Sequence, residues 1–330
     1  MNKKILITGG AGFVGRRLVK FMLEKGNEVI AIDNIAPLTG GIDPKDGWPL
    51  YDPRDYKNFT FHKVDCRKWF VNNQKNQFDY VFHLAAMVGG REVIENNPLT
   101  VAEDLSIDSH FWQWCSTSKP EKVICFSSSA CYPIELQKHD NYRLLKEDDI
   151  AFQKNIGMPD MTYGWAKLTC EYLAQIAYEK YGLKSICYRP FSGYGEDQDL
   201  NYPFPSICKR ILNNKHKDQI NVWGSGKQLR DFIYIDDCIE GIYKTMDQIQ
   251  DGSALNLSTG KFTSFIDFAR QTCNIIGFNP EIVSTTNKPE GVFARGGDTT
   301  KQQKFGFKYT TELAVGIKKT LNFFQDKLKP

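Results

Sequence analysis

The chain has 330 residues, 41% hydrophobic and 25% charged, with a formal net charge of +3. That length and apolar content can bury a full core in one large domain or in two unequal lobes, and two lobes are expected. The basic residues are scattered rather than striped, which excludes a nucleic-acid or membrane-surface footprint and leaves a small molecule as the fitting partner.

In chain order, the first predicted strand, Ile5-Leu6-Ile7, runs into Thr8-Gly9-Gly10-Ala11-Gly12-Phe13-Val14-Gly15. A helix follows over 13–24, with apolar Val14, Leu18, Phe21 and Met22 at helical spacing and a stop near Gly26. In such a turn Gly10 and Gly12 let the backbone approach a pyrophosphate. Gly15 lets the helix pack closely on the strand, and the free N–H groups of the helix start face the anion. A second buried strand, 29–32, closes on Asp33, which is placed to accept the ribose hydroxyls of an adenosine. No Arg or Lys follows in Asn34-Ile35-Ala36-Pro37 to neutralise a 2′-phosphate, so the cofactor read here is NAD rather than NADP.

Residues 34–58, rich in Pro, Gly and Asp, read as a long loop bordering the adenosine end. Strands are expected over 59–64, 80–84 and 123–127, with a helix over 101–116, the alternation of a parallel sheet built from βαβ units. A second long loop, 132–160, precedes a helix over 163–181 and a strand over 183–188. After Arg189-Pro190 the alternation stops, and a second lobe is expected to begin there. The strand expected over 254–257 returns to the first lobe. The fold class is α/β, a doubly wound parallel sheet (Rossmann) with a smaller interleaved α/β lobe. Residues 1–190 plus about 232–260 are expected to bind dinucleotide, and about 191–231 plus 261–330 the substrate.

Nine cysteines occur without a Cys-x-x-Cys pair, and His62, His110, His139 and His216 lack ligand spacing, so no metal is expected; His83 reads as structural. The N-terminal apolar run is too short and too interrupted by glycine for a signal peptide or a membrane span, so a cytoplasmic chain with reduced thiols is expected.

Tyr163 and Lys167 stand four residues apart, on one face of their predicted helix. A free phenol, with a pKa near ~10, is a poor base at neutral pH, and an ammonium held close lowers that value. The pair suits proton transfer, with Lys167 also holding the nicotinamide ribose. Ser127-Ser128-Ser129 closes a strand at its carboxyl end, where ligands bind in open α/β sheets, and Ser129 is the choice for bonding the reacting substrate oxygen.

With these residues in place, the chain resembles the extended short-chain dehydrogenases/reductases, in their nucleotide-sugar epimerase/dehydratase branch, over nearly its whole length. The resemblance rests on the Thr8 to Gly15 turn, Asp33, Asp65, His83-Leu84-Ala85-Ala86, the serine run, Tyr163 with Lys167, and Arg230-Asp231-Phe232-Ile233-Tyr234-Ile235-Asp236-Asp237. It implies NAD contacts from Gly9, Gly12, Phe13, Val14, Gly15, Asp33, Asn34, Asp65, Cys66, Leu84, Ala85 and Ala86, besides Tyr163 and Lys167. The chemistry it implies is oxidation at a sugar C4, begun when the tyrosinate removes the hydroxyl proton while hydride passes to the nicotinamide.

Narrower likenesses point to GDP-sugar members. The segment His83 to Gly90 is similar to GDP-fucose synthases. Ser128-Ser129-Ala130-Cys131-Tyr132-Pro133, and Pro289-Glu290-Gly291-Val292 with Arg295, are similar to GDP-mannose 3,5-epimerases. These likenesses imply substrate contacts from Val88, Gly89, Ser128 and Ser129, and diphosphate contacts from Arg210, Val222, Arg230 and Arg295, a role suited to bidentate guanidinium bonding. Cys131 matches one of the two acid/base groups of the 3,5-epimerases and reads either as that group or as a space-filling thiol. The position of the other falls on Tyr202, a substrate contact far less ready to donate a proton at neutral pH. Where a 4,6-dehydratase carries an acidic pair, this chain has Ala130-Cys131.

The expected reaction is therefore NAD-dependent oxidation at C4 of a GDP-linked manno-hexose or manno-heptose, a GDP-sugar 4-dehydrogenase of surface polysaccharide biosynthesis. The alternatives are a GDP-sugar 3,5-epimerase, a nucleotide-sugar 4-epimerase and, outside enzymes, a non-catalytic NAD-binding regulator. The resemblance also implies a homodimer or higher homo-oligomer, with Trp112 and Trp114 either facing a partner subunit or packing in the core.

Overall fold

A computed structural model describes residues 2–37, 39–87, 89, 91–285 and 290–327. Its centre is an all-parallel sheet of β1 (Lys4–Thr8), β2 (Glu28–Asp33), β3 (Phe59–Lys63), β4 (Tyr80–His83), β5 (Lys122–Phe126), β6 (Ser185–Pro190) and β7 (Asp251–Leu257). The order β3-β2-β1-β4-β5-β6-β7 reverses direction between β1 and β4, the switch point at which doubly wound sheets open a crevice. Thr8 is level with Ile32 on one side and His83 on the other, so the ends of three strands meet there.

The strands read as continuous apolar runs because both faces are covered. Ile5, Ile7, Val29 and Ile124 point to one core, and Leu6, Ile32, Val123 and Cys125 to the other, the period of two of a pleated strand. Helix α1 (Phe13–Glu24) covers the first face, and α2 (Cys66–Asn72), α3 (Glu103–Ser118) and α4 (Met161–Tyr181) the second. Trp112 and Trp114 lie in that second core, with Trp114 stacked on Phe70 at 5.2 Å, which decides their alternatives for packing.

The helix expected over 101–116 is two, Pro98–Val101 and α3, because Pro98 starts its own short turn and α3 runs on to a left-handed Lys119. The two long loops are not bare. Within 34–58, Asp43 and Asp52 each cap a 3₁₀ turn that begins with proline, and 132–160 holds further 3₁₀ turns and a small hairpin, Gln137–Lys138 with Asn141–Tyr142.

After Pro190 the chain leaves the sheet and builds α5 (Pro203–Asn213), then α6 (Ile235–Thr245), which packs on α1. It returns for β7 and leaves again into α7 (Phe265–Ile275) and α8 (Leu313–Asp326), which pack on each other and on α5. Short strands tie these excursions together: Gln219–Trp223 pairs with Glu281–Thr285, and Leu229–Arg230 lies between Thr263–Ser264 and Ala294–Arg295. Among the described residues, no helix is long and apolar enough to cross a membrane.

Candidate active site

A cavity of about 940 Å³ opens at the carboxyl ends of β1 and β4 and runs on to α5 and the short strands that follow β6. At its floor Gly9 has a left-handed backbone (φ 69), and a Cβ there would come within 2.8 Å of the Leu84 and Ala85 backbone. A Cβ on Gly15 would stand 2.2 Å from the Gly9 carbonyl oxygen, so α1 can lie this close to the turn only with glycine. Gly12 caps α1 with no side-chain acceptor, and no acidic residue occupies the first turn. Gly9, Gly12, Phe13, Val14 and Gly15 all line the cavity. Bare helix-start N–H groups in a glycine cradle fit a pyrophosphate.

Asp33, at the end of β2, also lines the cavity with Asn34. Its Oδ2 accepts the Ala11 N–H at 3.0 Å and its Oδ1 the Ile35 N–H at 2.8 Å. Burial raises its carboxyl above the ordinary range while these backbone donors pull it down. Asp65 caps α2 and takes Arg67 in a fork, which holds its carboxyl below the ordinary range. Cys66, beside it on the cavity wall, has its thiol pushed up to about 12 by burial and serves as wall rather than nucleophile. Leu84, Ala85 and Ala86 line the cavity; the first two donate N–H bonds to Thr8 Oγ1, tying the β4 exit to the end of β1.

Tyr163 and Lys167 project from α4 into the middle of the cavity, with Lys167 Nζ 5.8 Å from the phenol ring centroid. Met161, which starts this helix, has φ 57, a left-handed strain held just ahead of the phenol. Sequence reasoning expects Lys167 to lower the Tyr163 pKa. The structure corrects the net direction: burial raises it, Lys167 opposes, and the buried Asp104 carboxylate adds to the rise. Lys167 itself sits above the ordinary lysine range despite the cost of burial, because Asp104, Asp108 and Tyr163 favour its charge.

The three serines divide. Ser127 donates to Glu171 inside a buried pair with Arg189, whose Nη2 lies 2.6 Å from Glu171 Oε2. The Ser128 side chain accepts the Ala130 N–H and favours the ionised Tyr163 phenol, whereas Ser129 opens a 3₁₀ turn and lines the cavity. Of the two readings of Cys131, the structure favours the space-filling thiol. It is 0% exposed, lies outside the cavity lining, and its Sγ sits 3.2 Å from Ser127 Oγ. Burial drives its thiol well above the ordinary range, so packing explains it and proton abstraction does not.

At the far end, Gly89, Tyr202, Arg210, Val222, Arg230 and Arg295 line the same cavity, while Val88 lies outside the described residues. Arg295 donates to Gln137 Oε1 and Asp160 Oδ2, both at 2.8 Å. Arg91, which sequence reasoning missed, grips the same Asp160 at 2.9 Å. Arg230 hydrogen-bonds only backbone carbonyls among the described residues, and burial, with Arg295 and Arg91 nearby, lowers its pKa to about 9. Arg210 lies 5.7 Å from the Trp223 ring, and its Nε and Gln228 Oε1 are buried without a hydrogen-bond partner among the described residues. Arg91 and Arg295 share Asp160, and with Arg230 and Arg210 on the same cavity their chemistry fits a doubly charged anion. His83, read as structural, is buried, stacked at 3.8 Å on Phe111, and bonded to Thr8 and Asp108.

Residues 5–258 match the NAD dependent epimerase/dehydratase family. Among curated proteins, the chain is 24% identical to a GDP-L-fucose synthase of Sinorhizobium fredii, over 98% of this chain and 96% of that one. It is 25% identical to GDP-mannose 3,5-epimerase 1 of Oryza sativa, over 99% of this chain and 82% of that one. Among solved structures, the UDP-glucose 4-epimerase of Thermotoga maritima with UDP-glucose superposes with a TM-score of 0.81 at 23% identity, covering 99% of this chain and 100% of that one.

Proposed function

The chain belongs to the NAD dependent epimerase/dehydratase family, and from that premise we propose that it oxidises C4 of a GDP-linked manno-configured hexose or heptose to the 4-keto GDP-sugar. One observation carries the reading: Tyr163 and Lys167 face a cavity that joins a glycine-cradled helix start to an arginine-rich far end. Dinucleotide at one end and diphosphate at the other leave the sugar between them, against the phenol.

In this reading the glycine turn holds the NAD pyrophosphate, Asp33 and Asn34 the adenosine ribose, and Lys167 the nicotinamide ribose. NAD, when bound, supplies the hydride acceptor. Tyr163 Oη takes the C4 hydroxyl proton, Ser128 and Ser129 hold the same oxygen, and Lys167 stabilises the phenolate that does the work. Arg210, Arg230 and Arg295 grip the diphosphate.

The preference for GDP is supported by the curated GDP-sugar relatives; curated UDP-sugar relatives match at similar identity, and the UDP-glucose arm of the test separates the two. The preference for a released ketone over 3,5-epimerisation is supported by Cys131, buried outside the cavity, and by Tyr202, whose phenol burial raises further from a useful acid. The chain would act as a homodimer or higher homo-oligomer in surface polysaccharide biosynthesis.

The test mixes purified protein with GDP-mannose, a GDP-manno-heptose or UDP-glucose and follows reduced-nicotinamide absorbance and product mass. A GDP-sugar lighter by a pair of hydrogens is the expected result. No reduced nicotinamide with any GDP-sugar overturns it. A C4-inverted product without net oxidation indicates a 4-epimerase, and solvent deuterium at C3 or C5 a 3,5-epimerase.

A further inference from the structure

Behind Tyr163 and Lys167 runs a buried polar line that the oxidation at C4 leaves without a task. Asp104, on α3, is 0% exposed, and its Oδ1 accepts the Met87 N–H. Its Oδ2 faces Lys167 Nζ at 3.7 Å and has no hydrogen-bond partner among the described residues. One turn on, Asp108 Oδ1 lies 3.1 Å from His83 Nε2, and its Oδ2 is also unpartnered among them. Thr8 Oγ1 meets His83 Nδ1 at 2.8 Å, so the line reaches back to the glycine turn. The groups facing Asp104 are Tyr163 and Lys167 on α4 and Asp108 on its own helix, while Asp108 in turn faces His83 at the end of β4, Cys170 on α4 and Cys66 on α2; Arg67 is drawn away by Asp65 and Glu103.

Lys167 therefore serves two acids, the phenol on its cavity side and Asp104 behind it. In a poorly solvated site, one ammonium cannot compensate an ionised phenol and an ionised Asp104 together, least of all with Asp108 adjoining. Burial already pushes the Asp104 carboxyl up to about 6, with Lys167 opposing and Asp108 adding to the rise.

We propose that Asp104 is a positioning residue that shares one proton with Tyr163 through Lys167, so that the phenol ionises as the Asp104 carboxyl takes up its proton. The Tyr163 O–H bond breaks and an Asp104 O–H bond forms. Lys167 hands a proton to Asp104 and regains one from Tyr163, so it ends as it began. Phenol plus carboxylate becomes phenolate plus carboxylic acid, and no net charge enters or leaves the buried site. The base that takes the substrate proton is thus prepared without exporting a proton to water.

The inference rests on Tyr163 being that base, but its test needs no substrate, so the two readings fail separately. Full-length protein labelled with ¹³C at tyrosine Cζ and aspartate Cγ is titrated by NMR, with Tyr163→Phe and Asp104→Asn assigning the signals. In Asp104→Asn, which keeps an acceptor for the Met87 N–H, the Tyr163 titration falls by about one pH unit or more. In Tyr163→Phe, the Asp104 carboxyl loses its second step and titrates in one. A Tyr163 curve unmoved by Asp104→Asn overturns the proposal. Should that variant not fold, the wild type and Tyr163→Phe decide, and an Asp104 curve indifferent to the loss of the phenol overturns it equally.

Discussion

The two ends of the cleft are made of different materials. At the glycine turn the ligand-facing surface is backbone, kept bare because a Cβ at Gly9 or Gly15 would strike its neighbours. At the far end it is side chain, with Arg91 and Arg295 converging on Asp160 and Arg230 left to backbone carbonyls. A backbone site is rigid and indifferent to which nucleotide it meets, whereas a cage of guanidiniums carries specificity and tolerates change one residue at a time. The phenol stands where the two meet.

Removing that meeting point should have the largest effect. Tyr163→Phe is expected to lower turnover by about 10²- to 10⁴-fold while binding of NAD and of nucleotide sugar persists, measured by reduced-nicotinamide formation beside calorimetric titrations. Equal loss of binding would mean the ring shapes the cleft rather than moving a proton.

Gly15→Ala attacks the backbone end alone. With a Cβ 2.2 Å from the Gly9 oxygen, an overpacking cost of about 1–3 kcal/mol is expected, seen as a lower melting temperature and weakened NAD binding. A variant that binds NAD as tightly as the parent would break the claim that this end depends on a bare backbone.

Arg295→Lys attacks the other end. It keeps the charge but loses the fork to Gln137 and Asp160, so KM for the nucleotide sugar should rise by about 10-fold or more with NAD affinity unchanged.

The smallest effect lies between the ends. Because burial raises the Asp104 carboxyl from 3.8 to about 6, the folded chain binds that proton more tightly than the unfolded one. The stability this contributes is present below about pH 4 and lost as pH rises through about 6, so Asp104→Asn should flatten that part of a pH–denaturation curve. An unchanged slope would remove Asp104 from the account.

The same contrast explains what the sequence made legible. The glycine turn, α1 and Asp33 are consecutive, and their spacing and apolar period lead directly to β1–α1–β2. Tyr163 and Lys167 share a helix, so their common face follows from that spacing. Arg91, Gln137 and Asp160 escaped because their pairing is made across long stretches of chain and carries no local pattern. Asp104 did leave a signal: with Asp108, Phe111 and Cys115 it marks the buried face of α3, and acids on a buried face need a partner. Cys131 stayed open between two readings because its motif fixes chain position, while the 3₁₀ turn Ser129–Cys131 takes the thiol out of the cavity and toward Ser127.

The account is tested most directly by giving the protein a GDP-manno-sugar deuterated at C4 and weighing the recovered dinucleotide. Deuterium on the nicotinamide, abolished by Tyr163→Phe, is the predicted result. Turnover of the sugar with the label still on C4 or lost to water, and none on the nicotinamide, would contradict it.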